Sequence, residues 1–408
     1  MALDVLTVSV PADTASATQT IAIGFPVKAA IFYATDLASD AESMTAGNGC
    51  LSIGFSDGSA HTCVVAAGDD AVATSNNARQ WSENRCISIA TDGTPTIANQ
   101  ATAAFSGNDI VLTWDSTPAA AYELGIMAFG GSDITNVDVG IDTMPTAAGN
   151  KSVTTVGFQG DIVFIVSDQR TSTGSTANIR TGYGWAVTAA KEFAASICAD
   201  DAQTMGTGVN ASSIVSGSST IRSISNVTTQ VNADFTQFTS NGFDLNFGTA
   251  PGTAYSFGWL VIKGGQWDAS NAAKPATATT QSATGRAFQP KIVGFCVTAG
   301  TTGGTITQPA RMGVGGATGT SAEVNVQFHH NDNINTVVET QASSTKCLGI
   351  GAVFADFTSF NSDGWTITWA QAGNAEIVGW WMAGDNAVAP AGFGPLLSTE
   401  RNMLVMGN

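Results

Sequence analysis

The sequence predicts an all-β chain, built as three tandem antiparallel β-sandwich domains of similar fold. Three observations carry that prediction. A ten-residue phrase recurs, as "FSGNDIVLTW" (105–114), "FTSNGFDLNF" (238–247) and "FNSDGWTITW" (360–369). Bulky and polar residues alternate at the end of each phrase, the period of a half-buried strand. Helix signals are poor: Ala-rich pieces such as "AVTAAKEFAASI" (186–197) are short, and β-branched residues with Gly and Thr dominate elsewhere.

Each copy opens on a second shared stretch, "FPVKAAIFYAT" from Phe25, "FQGDIVFIVSD" from Phe158 and "FQPKIVGFCVT" from Phe288. These are nearly continuous apolar runs; "DIVFIVS" (161–167) suits a strand covered on both faces. Phe25 precedes Phe105 by 80 residues, Phe158 precedes Phe238 by 80, and Phe288 precedes Phe360 by 72. The middle of each copy carries a Gly-rich stretch ("IGFSDG", "TGYGWAV", "MGVGGA"), then an acidic or amide loop (Asp69-Asp70, Asp200-Asp201, Asn331-Asp332). A basic residue entering a strand follows ("RCISI", "RSIS", "KCLGI").

The recurring phrase comes next. Asn108-Asp109, Asn241-Gly242 and Asp363-Gly364 supply turn chemistry, because Gly, Asn and Asp tolerate positive φ. In "DGWTITW", Trp365, Ile367 and Trp369 form one apolar face, and Trp114 falls on the same register in the first copy. Each copy closes on "AYELGIMAFGG" (121–131), "AYSFGWLVIKGG" (254–265) or "AEIVGWWMAGDN" (375–386). The domains expected are therefore 1–131, 132–265 and 266–386, with 387–408 a tail outside the repeat. Units of this size with six to eight short strands fit a sandwich.

Composition narrows the function. Apolar residues make up 43% of the 408, enough to bury a core, and charged residues only 12%, about half the usual share. A formal charge of −17 without a Lys/Arg cluster argues against nucleic-acid binding. Asp4 stands where a secretory signal would carry basic residues, and no apolar stretch approaches the roughly 20 residues that span a bilayer. Synthesis in a cytoplasm without membrane insertion is expected. Six scattered cysteines with no CxxC pair read as free, buried thiols.

Candidates for chemistry fall away one by one. His329 and His330 in "HHNDN" could ligate a metal, but the other copies lack His in that loop, so a solvated loop is expected. The acidic loops lack the alternate-residue ligand pattern of a calcium site. "GFSDG" (54–58) has the letters of a nucleophile elbow, but His61 is too near for a triad and the context is all-β. "GVGGATG" (313–319) lacks the Lys of a phosphate loop. The sequence is thus expected not to be an enzyme, with no catalytic, cofactor or metal residue. Trp380 and Trp381 are neighbours and must face opposite ways, so one is expected to stand exposed at an interface, and the pair are the candidate interface residues.

The repeat unit resembles a domain of tailed-bacteriophage structural proteins. The resemblance rests on "FQPKIVGF" (288–295), "GFSDG" (54–58), "DGWTITW" (363–369) and "GIMAFGG" (125–131), and covers roughly residues 15–386. The second copy departs most, with Gly160 in place of the proline and "GYGW" in place of "GFSDG". The resemblance implies a virion structural protein, chiefly a capsid-surface decoration or cement protein contacting the major capsid protein. A tail or tail-fibre protein with lectin-like receptor or carbohydrate binding is the alternative. The chain is expected to form a homo-oligomer, or its own three copies to mimic a trimer around a local threefold axis. A second similarity, to H-type lectin domains, would imply sugar binding and transfers no binding residues.

Overall fold

The computed structural model describes residues 2–40, 45–70, 72–204, 211–225, 228–331 and 338–386; the tail 387–408 and Asp332 lie outside the described residues. The described chain is strand, turn and loop. The first unit contains β1 (Leu3–Pro11), β2 (Thr18–Ala22), β3 (Val27–Ala34), β4 (Thr45–Ala46), β5 (Gly49–Ser56) and β6 (His61–Gly68). It continues with β7 (Asn77–Ser82), β8 (Ile87–Ile89), β9 (Asn99–Ser106), β10 (Asp109–Trp114) and β11 (Glu123–Gly131). The second has β12 (Asn136–Thr143), β13 (Gly149–Val153), β14 (Ile162–Ser167), β15 (Gly174–Ala177), β16 (Ile179–Thr188) and β17 (Lys191–Ala199). Then come β18 (Ser212–Ser216), β19 (Ile221–Ser225), β20 (Thr228–Thr239), β21 (Gly242–Thr249) and β22 (Ser256–Lys263). The third has β23 (Gln266–Ala273), β24 (Thr280–Ala283), β25 (Ile292–Thr298), β26 (Ala310–Gly319) and β27 (Ala322–His330). It ends with β28 (Val338–Ser343), β29 (Leu348–Ile350), β30 (Val353–Asn361), β31 (Gly364–Trp369) and β32 (Ile377–Gly384).

All named pairings are antiparallel, and one strand order recurs. The large sheet of the first unit runs β1-β11-β3-β5-β6-β7, and its small sheet β2-β10-β9-β8. The second repeats this as β12-β22-β14-β16-β17-β18 over β13-β21-β20-β19, and the third as β23-β32-β25-β26-β27-β28 over β24-β31-β30-β29. Even the irregularities recur: a bulge opens β20 against β21 at Phe235/Gln237 and β30 against β31 at Phe357/Ser359. Two-residue turns join β9 to β10, β20 to β21 and β30 to β31, and Gly107 takes φ 62° in the first.

The alternation in the sequence sorts side chains between two kinds of core. Within each sandwich, one face of the large sheet meets the small sheet: Trp365, Ile367 and Trp369 pack there with Phe295 and Trp380. The opposite face of all three large sheets converges on one shared core, which takes Ile31 and Phe55 from the first unit. Phe164 and Tyr183 come from the second, and Met312 and Trp381 from the third. Burial on both faces is why the strands of these sheets read as continuous apolar runs.

The units also lend backbone to one another's sheet edges. β15 of the second unit pairs with β7 of the first, from Gly174↔Trp81 to Ala177↔Ala78. β4 of the first unit pairs with β28 of the third. The loop after β25 of the third unit reaches the second, where Ser213 and Thr307 exchange both backbone hydrogen bonds at 2.7 and 2.8 Å. The lending closes a cycle: second to first, first to third, third to second.

Glycines shared by the three closing strands mark the matching contacts. A Cβ on Gly258 would sit 2.5 Å from Thr62 of the first unit, one on Gly379 2.4 Å from Phe193 of the second, and one on Gly125 3.2 Å from Val324 of the third. At these corresponding positions the absent side chain admits the neighbouring unit.

Candidate functional site

Trp380 and Trp381 do face opposite ways, and both are buried, at 2% and 0% exposure. Trp380 points into its own sandwich, edge-on to Trp365 at 5.7 Å and under the Arg286 guanidinium at 4.8 Å. Trp381 points into the shared core, 5.7 Å from Phe129 of the first unit and 5.0 Å from Phe164 of the second. The expectation that one ring stands exposed therefore differs from the structure. The surface that Trp381 serves is internal, because the rest of the same chain covers it.

No disulfide joins the six cysteines and all of them are buried, as expected. His329 and His330 are not in a solvated loop: both are strand residues of β27, at 5% and 1% exposure. Burial lowers the pKa of each, and His329 is pushed down to about 3, the nearby Arg311 adding to the effect. Among the described residues no group of three or more His, Cys, Asp or Glu is placed to hold a metal. In "GFSDG", Ser56 Oγ lies 2.9 Å from His61 Nδ1 and also accepts the Gly58 amide. That contact ties a hairpin turn on a fully buried serine.

The acidic loops act on neighbouring units. Asp201 accepts the Asn77 amide of the first unit at 2.8 Å, and Asp70 accepts the Val338 amide of the third at 3.2 Å. Each carboxylate thus satisfies the first amide of a neighbour's edge strand. Asp200 forms a buried ion pair with Arg180. Asp168 is fully buried between Arg79 of the first unit and Arg170, and burial raises its pKa to about 7 against the pull of both arginines.

Two cavities carry distinct chemistry. The larger, about 970 Å³, is an open groove where the first and third units meet without a covalent linker, lined by Leu3, Phe25, Phe288, Lys291 and Asp385. Lys291 spans this junction, 2.7 Å from Asp385 and 3.1 Å from the Leu3 carbonyl. Its counterpart Lys28 binds the first linker at the carbonyls of Gly131 and Ile134. The second cavity, about 420 Å³, opens at the end of the third sandwich. Arg311 there donates Nε–H to His329 Nε2 at 2.9 Å, and His329 Nδ1–H donates to Glu339 at 3.1 Å. The sequence reading passed over Arg311. The available signal was a basic residue in the same place of two copies, in "IRTGYG" and "ARMGVG".

No protein-family model, curated protein or solved structure matches this chain.

Proposed function

We propose that the chain is a non-enzymatic structural protein of a bacteriophage virion, a decoration or cement subunit that contacts the major capsid protein. On this reading it is made in the host cytoplasm and acts on the particle. The observation that carries the reading is the closed cycle of lent edge strands around a shared core. Three similar units joined in one rotational sense behave as a fused trimer about a local threefold axis, a form suited to a threefold position on an icosahedral shell. The lent segments cover one edge of each large sheet and remove that edge as a template for open-ended strand pairing.

Co-sedimentation with expanded capsids tests the proposal, with saturation at a fixed ratio per particle as the expected result. Absence of binding to capsids, together with labelling confined to tails, would overturn it in favour of the tail or tail-fibre alternative. Particle images showing three beads in a line would remove the threefold element alone. A receptor-binding role for the exposed surface would have to use residues other than Trp380 and Trp381, whose rings lie inside.

A further inference from the structure

The junctions between units are built alike and filled unequally. At the second–third junction Trp267 lines two separate cavities, one of about 460 Å³ beside Gln159, Gly160 and Phe238, and one of about 230 Å³ beside Lys191 and Phe288. The third–first junction brings the corresponding places into one groove of about 970 Å³. Gln289, Pro290 and Phe360 match the first set there, and Ala322 and Phe25 the second. Val5 takes the place of Trp267: Val5 pairs with Phe129 and Trp267 with Ala383, which stand at the same distance beyond the corresponding Gly125 and Gly379. A valine in the place of an indole leaves joined what Trp267 divides.

Val5, Leu6, Phe25, Phe288 and Phe360 line this groove, and each is only half-buried. Apolar side chains gathered from two units around one opening mark a surface that something covers. The chain itself supplies a cover. Asp385 and Asn386 line the same groove and are held against the first unit, the Leu3 amide donating to Asp385 at 2.8 Å and the Asn386 amide to Asp133 at 2.6 Å. The backbone therefore leaves the third sandwich at the groove, and residues 387–408, which lie outside the described residues, continue from that point. Their sequence, "AVAPAGFGPLLSTERNMLVMGN", has Glu400 and Arg401 as its only charged residues and places Phe393, Leu396 and Leu397 close together. From Asn386 to Phe393 an extended chain reaches about 23 Å, enough to run along the groove. A tethered segment meets such a surface at an effective concentration on the order of millimolar, an advantage that a foreign peptide lacks.

We propose that the C-terminal segment 387–408 docks in cis in the groove between the first and third units, with Phe393, Leu396 and Leu397 against Phe25, Phe288 and Phe360. The docked segment takes the part that Trp267 plays at the second–third junction. It fastens the third unit to the first across the boundary that no covalent linker crosses. This docking is a property of the single chain, independent of the particle it serves.

Photo-crosslinking in the full chain tests the proposal, with p-benzoylphenylalanine in place of Phe393 and an equal mixture of unlabelled and heavy-isotope protein. Mass spectrometry should find crosslinks to peptides that contain Phe25, Phe288 or Phe360, each within one isotopic form. Leu396→Asp combined with Leu397→Asp leaves the three sandwiches unaltered and removes two apolar anchors, so it should lower the crosslink yield about tenfold. Crosslinks between the two isotopic forms would give the groove to the C-terminal segment of a second copy and overturn docking in cis. Crosslinks only elsewhere on the chain, none at all, or a yield that survives the double substitution would overturn it as well.

Discussion

Trp381→Ala tests whether the three sandwiches unfold as one body. The indole is fully buried, with Phe129 of the first unit at 5.7 Å, Phe164 of the second at 5.0 Å and Trp267 of its own unit at 6.0 Å. Across the strand pair it fills the notch left by Gly294, where a Cβ would lie 2.3 Å from the ring. Truncation leaves a hole walled by three hydrogen-bonded sheets, which resist collapse. The cost should fall at the upper end of the about 3–5 kcal/mol for buried Trp→Ala changes. Guanidinium unfolding followed by tryptophan fluorescence and far-UV circular dichroism measures it. One coincident transition is expected for both proteins, with the midpoint lowered and the slope unchanged in the variant. A loss below about 1 kcal/mol, or separate transitions of which only one shifts, would refute the shared-core argument.

Further predictions address other parts of the fold. Burial raises Glu192 to about 7 and Glu323 to about 8, above the about 4.3 of an unfolded glutamate. Their stabilising effect is complete below the unfolded value and fades as pH climbs through 7 and 8. The urea midpoint should therefore fall between pH 6 and pH 9, and Glu323→Gln should flatten that slope. Arg79→Ala removes the hydrogen bonds to the carbonyls of Ala177 and Asn178, at 2.7 and 2.9 Å; limited proteolysis should then cut faster around β15. Gly258→Val drives a branched side chain against Thr62 and should destabilise by about 1–3 kcal/mol in thermal unfolding. A thiol reagent should find no reactive cysteine in the native protein and six after denaturation.

The strands and the sandwich architecture were legible because local chemistry encodes them. The turn pairs before β21 and β31 and the alternation of Trp365, Ile367 and Trp369 fix a strand and its buried face. What covers the second face of a strand is a long-range fact. "DIVFIVS" announces double burial, yet nothing local says whether the cover is another unit of the chain or a foreign partner, so the place of Trp381 stayed open. The lent strands were invisible for a related reason. β15 reads "GSTA" and β4 "TA", small and polar pieces whose pairing comes from backbone groups on a neighbour's edge. His329 and His330 looked solvated because the partners that make their burial tolerable, Arg311 and Glu339 for the first and the Asn331 carbonyl for the second, converge only in the folded sheet. The cavity beside Arg311 was illegible because its lining comes from three separate strands, Arg311 on β26, His329 on β27 and Glu339 on β28, which no local pattern joins.

Positions 33, 166 and 296 hold corresponding places on β3, β14 and β25, and carry Tyr, Val and Cys. In an assembly of three identical chains, each change at such a central place would occur in triplicate, and a large ring would crowd its own copies. Tethering lifts that restriction, so one place can enlarge while its counterparts shrink. The Tyr33 hydroxyl accordingly meets that of Tyr183 at 3.2 Å, an asymmetric polar contact inside an otherwise oily centre. A single gene that spells out all three thirds can revise each of them alone, which lets the outer surfaces specialise while the middle stays packed.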